Sequence, residues 1–338
     1  MSTVSLALMI LIFPLNVFLT AADDADLYSE TTKNFSNDTQ LVEGTEESRR
    51  EEMPASHPAP IAEFHPIKRN TATNLAIPNA HASLIMDVDT KEILFESNGN
   101  ERRQIASLTK MMTAVLVMEK VKDLDEVVTI DEDAVYTEGT RIGCPRSGYC
   151  VSQRLKVGEK ITVISLLKAM LMNSANDAAL ALSKHVSGSE EEFVKIMNKK
   201  AKDLGLQDSN FCTSSGLEPE GRETECYSSA HDIAYIAAYS MKYDLIWDIM
   251  RLPNNTEITS VDGTCSHTIL NTDLVKDQIT NCIGGKTGFT PLAGRSLLLA
   301  SSDLTGKHKI VAVLLDDPYR WQDIKEMISW TFDSYEWR

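Results

Sequence analysis

The strongest constraint in the sequence is a serine three residues before a lysine, at the start of an apolar helical run. Residues 104–113 contain Ser107 and Lys110. Because positions i and i+3 lie on one face of a helix, the Lys110 amine can reach the Ser107 hydroxyl. A serine hydroxyl attacks weakly until a base takes its proton, and a lysine is a base only when desolvation or nearby cations hold it neutral. The pair therefore predicts a helix over about residues 107–122 that begins at a reactive serine.

This spacing does not identify such a site by itself, because the chain carries it twice. Ser165 and Lys168 have the same spacing inside a second predicted helix, residues 161–172, where we interpret it as ordinary helix surface. The hypothesis at Ser107 therefore needs partners elsewhere in the chain. Two short motifs supply candidates and each occurs once: Ser174-Ala175-Asn176 between two predicted helices, and Lys286-Thr287-Gly288 in a glycine-punctuated predicted strand.

The order of the predicted elements indicates the fold class. Residues 82–88 and 93–96 predict a β-hairpin, and residues 284–289, 295–302 and 309–315 predict three further strands. We expect an α/β (α+β) fold in which a mainly antiparallel sheet is flanked by helices, with a helical subdomain that carries the Ser-x-Asn motif. Apolar residues at helical spacing predict the remaining helices at residues 177–185, 190–204, 229–241 and 320–332.

The N-terminal segments are predicted to lie outside the folded domain. Residues 4–19 are almost wholly apolar, so residues 1–22 predict a cleaved signal peptide, although no Lys or Arg precedes the apolar run. An uncleaved anchor is the alternative, but the run is short for a membrane span. Residues 23–79 are acidic and lack apolar periodicity, which predicts a disordered lead. We expect one domain over residues 80–338, a secreted or extracytoplasmic protein and no stable membrane anchor after cleavage.

Charge and cysteine usage narrow the class of protein. The net charge of −16 argues against nucleic acid and anionic membrane surfaces as main partners. An even count of six cysteines suits an exported protein, although connectivity does not follow from sequence alone. Closeness along the chain suggests the pairs Cys144–Cys150, Cys212–Cys226 and Cys265–Cys282.

The sequence predicts neither a metal site nor a cofactor. No C-x-x-C pair occurs, and the seven histidines are scattered without an H-E-x-x-H motif, which argues against a zinc carboxypeptidase. Three N-x-Ser/Thr sequons matter only in a host that glycosylates, and they start at Asn34, Asn37 and Asn254.

In this order, the three motifs are those of penicillin-recognising serine enzymes. The surrounding sequence resembles the D-alanyl-D-alanine carboxypeptidase family of low-molecular-mass penicillin-binding proteins, from about residue 80 to the C-terminus. The resemblance implies a β-lactamase/transpeptidase-like form of the expected fold. The family commonly adds an all-β domain and a C-terminal amphipathic anchor, and we expect both to be absent here. The segments that carry the resemblance are residues 86–90, 105–113, 211–217, 227–229, 270–272 and 285–294.

The resemblance also implies roles for the residues that react. Ser107 would be the acylated nucleophile and Lys110 its base. Ser174 would relay a proton toward the leaving amine, and Asn176 would hold both the substrate amide and the lysine. Lys286 would add a cation that helps to keep Lys110 neutral.

A second group of residues would hold the substrate. Thr287, together with Lys286, would meet the terminal carboxylate, and Gly288 would let an edge strand lie close to the peptide. The backbone N–H groups of Ser107 and Phe289 would stabilise the oxyanion. Arg320 matches a family arginine near the substrate carboxylate, with a solvated cation at a helix start as the alternative.

The implied function is that of a serine-type D-Ala-D-Ala carboxypeptidase. It would act through an acyl-enzyme on peptidoglycan-type peptides ending in D-Ala-D-Ala, and β-lactams would acylate the same serine as inhibitors. A β-lactamase or an esterase on the same scaffold stays open, because the three motifs do not separate these activities. A non-catalytic peptide-binding protein that kept the fold is a further alternative, against which the intact motifs argue.

Overall fold

The computed structural model of the chain describes residues 63–144 and 149–338. The predicted signal peptide and most of the predicted acidic lead lie outside the described residues, as do the sequons at Asn34 and Asn37. Within the described part of the chain, no helix combines the length and the apolar character that a membrane span requires.

Among the described residues, the strands divide into one central sheet and three two-stranded pairs, all antiparallel. In chain order they are β1 (Pro66–Lys68), β2 (Ala82–Asp87), β3 (Ile93–Ser97), β4 (Val127–Thr129), β5 (Lys160–Thr162), β6 (Thr256–Thr259), β7 (Ser266–Ile269), β8 (Cys282–Thr290), β9 (Gly294–Ser302), β10 (Lys309–Leu315) and β11 (Tyr335–Trp337). The central sheet has the order β3-β2-β10-β9-β8, so β8 forms one of its edges.

Several helices begin where the sequence supplies a capping side chain. The side chains of Thr162, Ser189 and Ser229 each accept a hydrogen bond from a first-turn backbone N–H of the following helix. The helices are α1 (Lys110–Lys120), α2 (Glu132–Tyr136), α3 (Val163–Met172), α4 (Asn176–Ser187), α5 (Glu190–Asp203), α6 (Ala230–Ser240), α7 (Asp244–Arg251) and α8 (Arg320–Ser334), with short 3-10 turns at Ala106–Thr109 and Glu223–Glu225.

The central sheet is buried on both faces. Successive side chains of a strand point to opposite faces, so Val311 and Val313 of β10 join the core beneath α1 and α6, whereas Ala312 and Leu314 join the core beneath α8. This explains why β10 is a continuous apolar run rather than an alternating one. The 3-10 turn at Ala106–Thr109 packs against β8, and the helical layer therefore meets the edge of the sheet there.

The predicted architecture of an antiparallel sheet flanked by helices is confirmed, but two boundaries are wrong. Order begins before residue 80: β1 pairs with β11, Ile77 is buried, and Trp330 Nε1 donates a hydrogen bond to the Thr73 carbonyl at 2.9 Å. The prediction of a disordered lead over residues 23–79 is therefore wrong for its last part, which includes β1, Thr73 and Ile77. The last predicted helix, residues 320–332, extends to Ser334 as α8, and strand β11 follows it; this strand is too short to show a periodicity.

The disulfide prediction is confirmed for two pairs and wrong for the third. Cys144–Cys150 and Cys212–Cys226 are bonded. Cys265 and Cys282 are instead buried free thiols. Cys265 directly precedes β7 in the β6–β7 hairpin, whereas Cys282 begins β8 in the central sheet. Closeness along the chain therefore does not by itself predict a bonded pair.

Candidate active site

Two glycines on other segments lie close to the backbone directly before Ser107. Ala106, directly before it, has a φ of 47°, which is rare for a residue with a Cβ. A Cβ on Gly216 would lie 2.0 Å from the Ala106 carbonyl oxygen, and one on Gly288 would lie 2.9 Å from the Ile105 carbonyl oxygen. The loop containing Gly216 and strand β8 therefore press on the backbone at the nucleophile from two directions.

Lys110 is fully buried and is held by three oxygen atoms. Its Nζ lies 2.9 Å from Ser107 Oγ, 2.7 Å from Asn176 Oδ1 and 2.7 Å from the Ser215 carbonyl oxygen. Burial and, second, the positive charge of Lys286 hold the pKa of Lys110 well below its ordinary value. As a neutral amine, Lys110 would donate to the amide and carbonyl oxygens and accept the Ser107 proton.

The Ser-x-Asn motif places two side chains beside the two lysines. Ser174 lies between α3 and α4 with a φ of 59°, and its hydroxyl accepts a hydrogen bond from Lys286 Nζ at 2.9 Å. Asn176 is the first residue of α4, and its Nδ2 donates to the Glu138 carbonyl oxygen at 2.8 Å. The amide of Asn176 therefore links Lys110 to the loop before Thr140, whose carbonyl accepts the Asn176 backbone N–H.

Lys286 is the second fully buried lysine of the site. Besides Ser174, its Nζ donates to the Thr287 carbonyl oxygen at 3.0 Å. Burial, followed by the positive charge of Arg320, lowers the pKa of Lys286 to about 7, and Asp273 acts in the opposite direction. The hydrogen-bond partners of both buried lysines are hydroxyl, amide and carbonyl oxygens.

Thr287 is part of a chain of hydroxyl groups. Its Oγ1 donates to Thr272 Oγ1 at 2.7 Å, and Thr272 Oγ1 donates to the Met172 carbonyl oxygen at 3.1 Å. The same carbonyl accepts the Thr272 backbone N–H at 3.0 Å. Because Met172 ends α3 two residues before Ser174, this chain ties the Ser-x-Asn loop to strand β8.

Arg320 and Phe289 complete the set of predicted site residues. Arg320 begins α8, and its Nη1 donates to the carbonyl oxygens of Gly288 and Ser296, both at 2.9 Å. Burial, followed by the nearby charge of Arg295, lowers the pKa of Arg320 to about 10. Phe289 follows Gly288 on β8 and has a 40% exposed side chain.

The structure brings the predicted residues of all three motifs together and adds others that sequence reasoning missed. Ser215 contributes only its carbonyl oxygen, so its side chain gives no signal of the role. Thr272 and Asp273 lie beside β8. Residues 211–217 and 270–272 carry part of the family resemblance, and this was the signal that could have indicated Ser215 and Thr272.

A large groove among the described residues lies away from these motifs. It has a volume of about 780 Å³ and is lined by α8, the β9–β10 turn and residues near both ends of the described chain. No residue of the three motifs lines it. Among the described residues, no three His, Cys, Asp or Glu side chains converge as metal ligands would. The chemistry of the side chains, rather than cavity size, therefore selects the site.

Solved structures assign the fold to a class, that of penicillin-binding proteins and DD-peptidases. A penicillin-binding protein homologue from Mycobacterium tuberculosis superposes with a TM-score of 0.68 at 26% identity, over 79% of this chain and 96% of that one. A variant of a Streptomyces DD-transpeptidase superposes with a TM-score of 0.64 at 27% identity, over 77% of this chain and all of that one.

The chain belongs to the D-alanyl-D-alanine carboxypeptidase family, which residues 68–318 match. D-alanyl-D-alanine carboxypeptidase DacF of Bacillus subtilis is 34% identical over 265 residues, which are 76% of this chain and 63% of that protein. The chain thus spans a little less than two thirds of the length of this relative. The family resemblance that the motifs predicted is confirmed.

Proposed function

We propose that this protein is a serine-type D-Ala-D-Ala carboxypeptidase that acts through an acyl-enzyme on peptidoglycan-type peptides. The observation that carries the proposal is the fully buried Lys110 amine between Ser107 Oγ, Asn176 Oδ1 and the Ser215 carbonyl oxygen. A purely structural lysine has no reason to be buried against neutral oxygens, because burying an uncompensated charge is costly. The activities named for the family and for its Bacillus relative support the same reaction.

Acylation begins with proton transfer from Ser107 to neutral Lys110. The Ser107 oxygen attacks the carbonyl carbon of the peptide between the two D-alanines, and the carbonyl oxygen becomes an oxyanion. The backbone N–H groups of Ser107 and Phe289 are the proposed donors to that oxyanion. A β-lactam carbonyl undergoes the same attack, and the ring opens to leave a stable acyl-enzyme.

Collapse of the oxyanion expels D-alanine, whose nitrogen needs a proton. Ser174 is the proposed relay of the proton that Lys110 took, and Lys286 Nζ, at 2.9 Å from the Ser174 hydroxyl, orients it. Asn176 Nδ2 has a second hydrogen besides the one given to the Glu138 carbonyl, and this hydrogen is available to a substrate carbonyl. Water then hydrolyses the acyl-enzyme and releases the shortened peptide.

The terminal carboxylate is proposed to bind at Thr287 and Lys286, with Arg320 behind the strand at the Gly288 carbonyl. Thr287 must then donate its proton to the carboxylate rather than to Thr272. The hydroxyl chain permits this: Thr272 can turn its proton toward Thr287, and the Met172 carbonyl keeps the Thr272 backbone N–H. Reversal leaves no polar group of the chain unpaired, so it costs little.

The proposal includes an extracytoplasmic location with a cleaved signal peptide over residues 1–22. Two bonded cysteine pairs support an oxidising compartment. Within the described residues, Asn254 is the exposed sequon asparagine and the proposed glycan site in a glycosylating host. The mass of the protein purified from its native host, with and without glycosidase, tests cleavage after Ala22 and glycan attachment. A mass that retains residues 1–22 contradicts export by cleavage.

A labelled penicillin tests the enzyme assignment. We expect the label on the peptide that contains Ser107, and we expect release of D-alanine from a synthetic peptide ending in D-Ala-D-Ala. Ser107→Ala should abolish both, whereas the matched variant Ser165→Ala should keep both. Label at another residue, or no label on folded protein, would overturn the assignment.

Transpeptidation is the second candidate, because a DD-transpeptidase shares the fold over its whole length. The two activities share acylation and differ in the acceptor. Adding an amine acceptor such as glycine to the peptide assay separates them: a carboxypeptidase releases D-alanine and the shortened acid, whereas a transpeptidase forms the glycine-extended peptide.

A further inference from the structure

A buried carboxylate lies beneath the strand that carries Lys286. Asp273 is 4% exposed, and its Oδ1 accepts the backbone N–H groups of Val275 and Lys276 at 2.9 and 3.1 Å. Its second oxygen, Oδ2, is buried and has no hydrogen-bond partner among the described residues. Burying such an oxygen costs free energy unless a nearby positive charge compensates it.

The unpaired oxygen is directed at the residue before Lys286. A Cβ built on Gly285 would lie 2.5 Å from Asp273 Oδ2, so the carboxylate touches the backbone of β8 at this position. Glycine at 285 is therefore what lets the carboxylate reach the strand. The Asp273 charge raises the pKa values of Lys286 and Arg320. Asp273 itself is influenced by the cation Lys276 and by the acid Asp277.

The two buried lysines compete for protons. Burial lowers the pKa of each lysine, and the Lys286 charge further lowers the pKa of Lys110. Because the positive charge of Lys286 disfavours a second charge on Lys110, the two buried amines tend to hold one proton between them. The proposed reaction needs that proton on Lys286, because Lys110 must be neutral to accept the proton of Ser107.

Fixed charges decide which lysine holds the proton. Asp177 and Glu190 raise the pKa of Lys110 and so favour the unproductive arrangement. Arg320 opposes a charge on Lys286 and favours the same unproductive arrangement. Asp273 is the carboxylate that raises the pKa of Lys286, and it therefore acts against these three groups.

We propose that Asp273 is a positioning residue that keeps the shared proton on Lys286 and thereby leaves Lys110 neutral beside Ser107. This inference rests on the proposed function, because only a reaction that uses neutral Lys110 needs it. Asp273 touches neither the nucleophile nor the buried amines through a hydrogen bond. Its effect is exerted through charge, so it is not a catalytic residue.

The test replaces Asp273 by Asn, which has nearly the same shape and keeps an oxygen for the two backbone N–H groups but removes the charge. With lysine labelled by carbon-13 at the ε position, we expect the Lys286 titration midpoint to fall by about one pH unit. Penicillin acylation at neutral pH should fall about tenfold, because one pKa unit is a factor of ten in the protonation equilibrium. Lys286→Arg assigns the Lys286 signal.

Asp277→Asn is the matched control. Asp277 is four residues away, pairs with Lys276 and has an 84% exposed side chain. Its removal should leave the Lys286 midpoint and the acylation rate unchanged. Should Asp273→Asn fail to fold, Asp273→Ser supplies the same readout, because a serine hydroxyl can accept the turn N–H groups without a charge.

The two proposals fail in different ways. The titrations are recorded in a Ser107→Ala background, so they do not depend on any reaction. If penicillin does not acylate Ser107 of the wild-type protein, but Asp273→Asn still lowers the Lys286 midpoint, the charge effect holds and the proposed function is overturned. Normal acylation of Ser107 with an unchanged midpoint and rate in a folded Asp273 variant would overturn the role of Asp273 alone.

Discussion

Two segments of this chain carry a serine three residues before a lysine, and the structure gives them opposite environments. Lys110 is fully buried against Ser107, Asn176 and the Ser215 carbonyl. Ser165 and Lys168, on α3, are both partly exposed. The spacing of three residues brings an amine within reach of a hydroxyl, but it does not lower the pKa of that amine. Burial and the groups brought by other segments do so at Lys110.

The backbone differs at the two serines as well. Ser165 lies in the first turn of α3, where the Thr162 hydroxyl caps its N–H and donates to Ser165 Oγ at 2.9 Å. Ser107 lies in a 3-10 turn for which the structure gives no side-chain cap, directly after the left-handed Ala106. A capped N–H is committed to the helix, whereas the proposed oxyanion site requires the Ser107 N–H to face a ligand.

The largest expected effect comes from replacing the lysine of the first motif, and the same replacement in the second motif is its control. Lys110→Arg should lower the penicillin acylation rate by about 100- to 10,000-fold, since arginine cannot deprotonate and general-base catalysis contributes about this much. Lys168→Arg should leave the rate unchanged. In the wild type, the rate should fall as the pH drops through the depressed pKa of Lys110, because protonation removes the base.

Lys286→Arg is the control for charge at the first motif. This cation must stay positive and meet a carboxylate, so the variant should retain more acylation than Lys110→Arg at every pH. Equal residual rates in the Lys110 and Lys286 variants would show that Lys110 is not the base. A wild-type rate that rises as the pH falls would lead to the same conclusion.

An intermediate effect is expected from the glycine opposite the nucleophile. Gly216 and Gly205 have φ values of 84° and 75°, so alanine is strained by about 1 kcal/mol at either position. At Gly205 the added Cβ meets nothing within 4 Å, whereas at Gly216 it would lie 2.0 Å from the Ala106 carbonyl oxygen. Gly216→Ala should cost about 3 kcal/mol more in the free energy of unfolding and should slow acylation, whereas Gly205→Ala should acylate normally.

Urea unfolding and the penicillin acylation rate, measured on the same preparations, check this pair. Equal losses of stability in the two variants would mean that the contact with Ala106 relaxes without strain. Normal acylation in Gly216→Ala would mean that the backbone before Ser107 does not position the nucleophile.

The motifs could be predicted from sequence because their side chains have distinctive chemistry and spacing. Ser215 acts through a carbonyl oxygen, which every residue possesses, so only the family resemblance of residues 211–217, and not its side chain, indicates it. Asp273 acts by lying against Gly285, and this contact joins segments whose approach only the fold creates. The same limit explains the β1–β11 pair, in which Ile67 lies opposite Glu336. Each of these two strands is too short to show a periodicity, and the two lie too far apart along the chain for their pairing to be inferred.

The wrong cysteine pair follows from the same limit. Nearness in sequence suggests the pair Cys265–Cys282, but nearness predicts a disulfide only where the chain turns back locally. Cys144–Cys150 and Cys212–Cys226 each close a loop of this kind. Between Cys265 and Cys282 the chain forms strand β7 and then crosses to the central sheet, so Cys265 lies at the β6–β7 hairpin and Cys282 in the central sheet.

The smallest expected effect concerns the second motif and tests whether Ser165 is only part of a helix start. Thr162→Ala removes the cap of α3 and should cost about 1 kcal/mol, which lowers the melting temperature by about 2–4 °C. Thr162→Ser keeps the hydroxyl and should restore most of this loss. Penicillin acylation should be unchanged in both variants, because α3 keeps its packing in the core. Slower acylation in folded Thr162→Ala would mean that α3, which ends at Met172 just before Ser174, transmits strain from its cap to the site, and the two motifs would then not be independent.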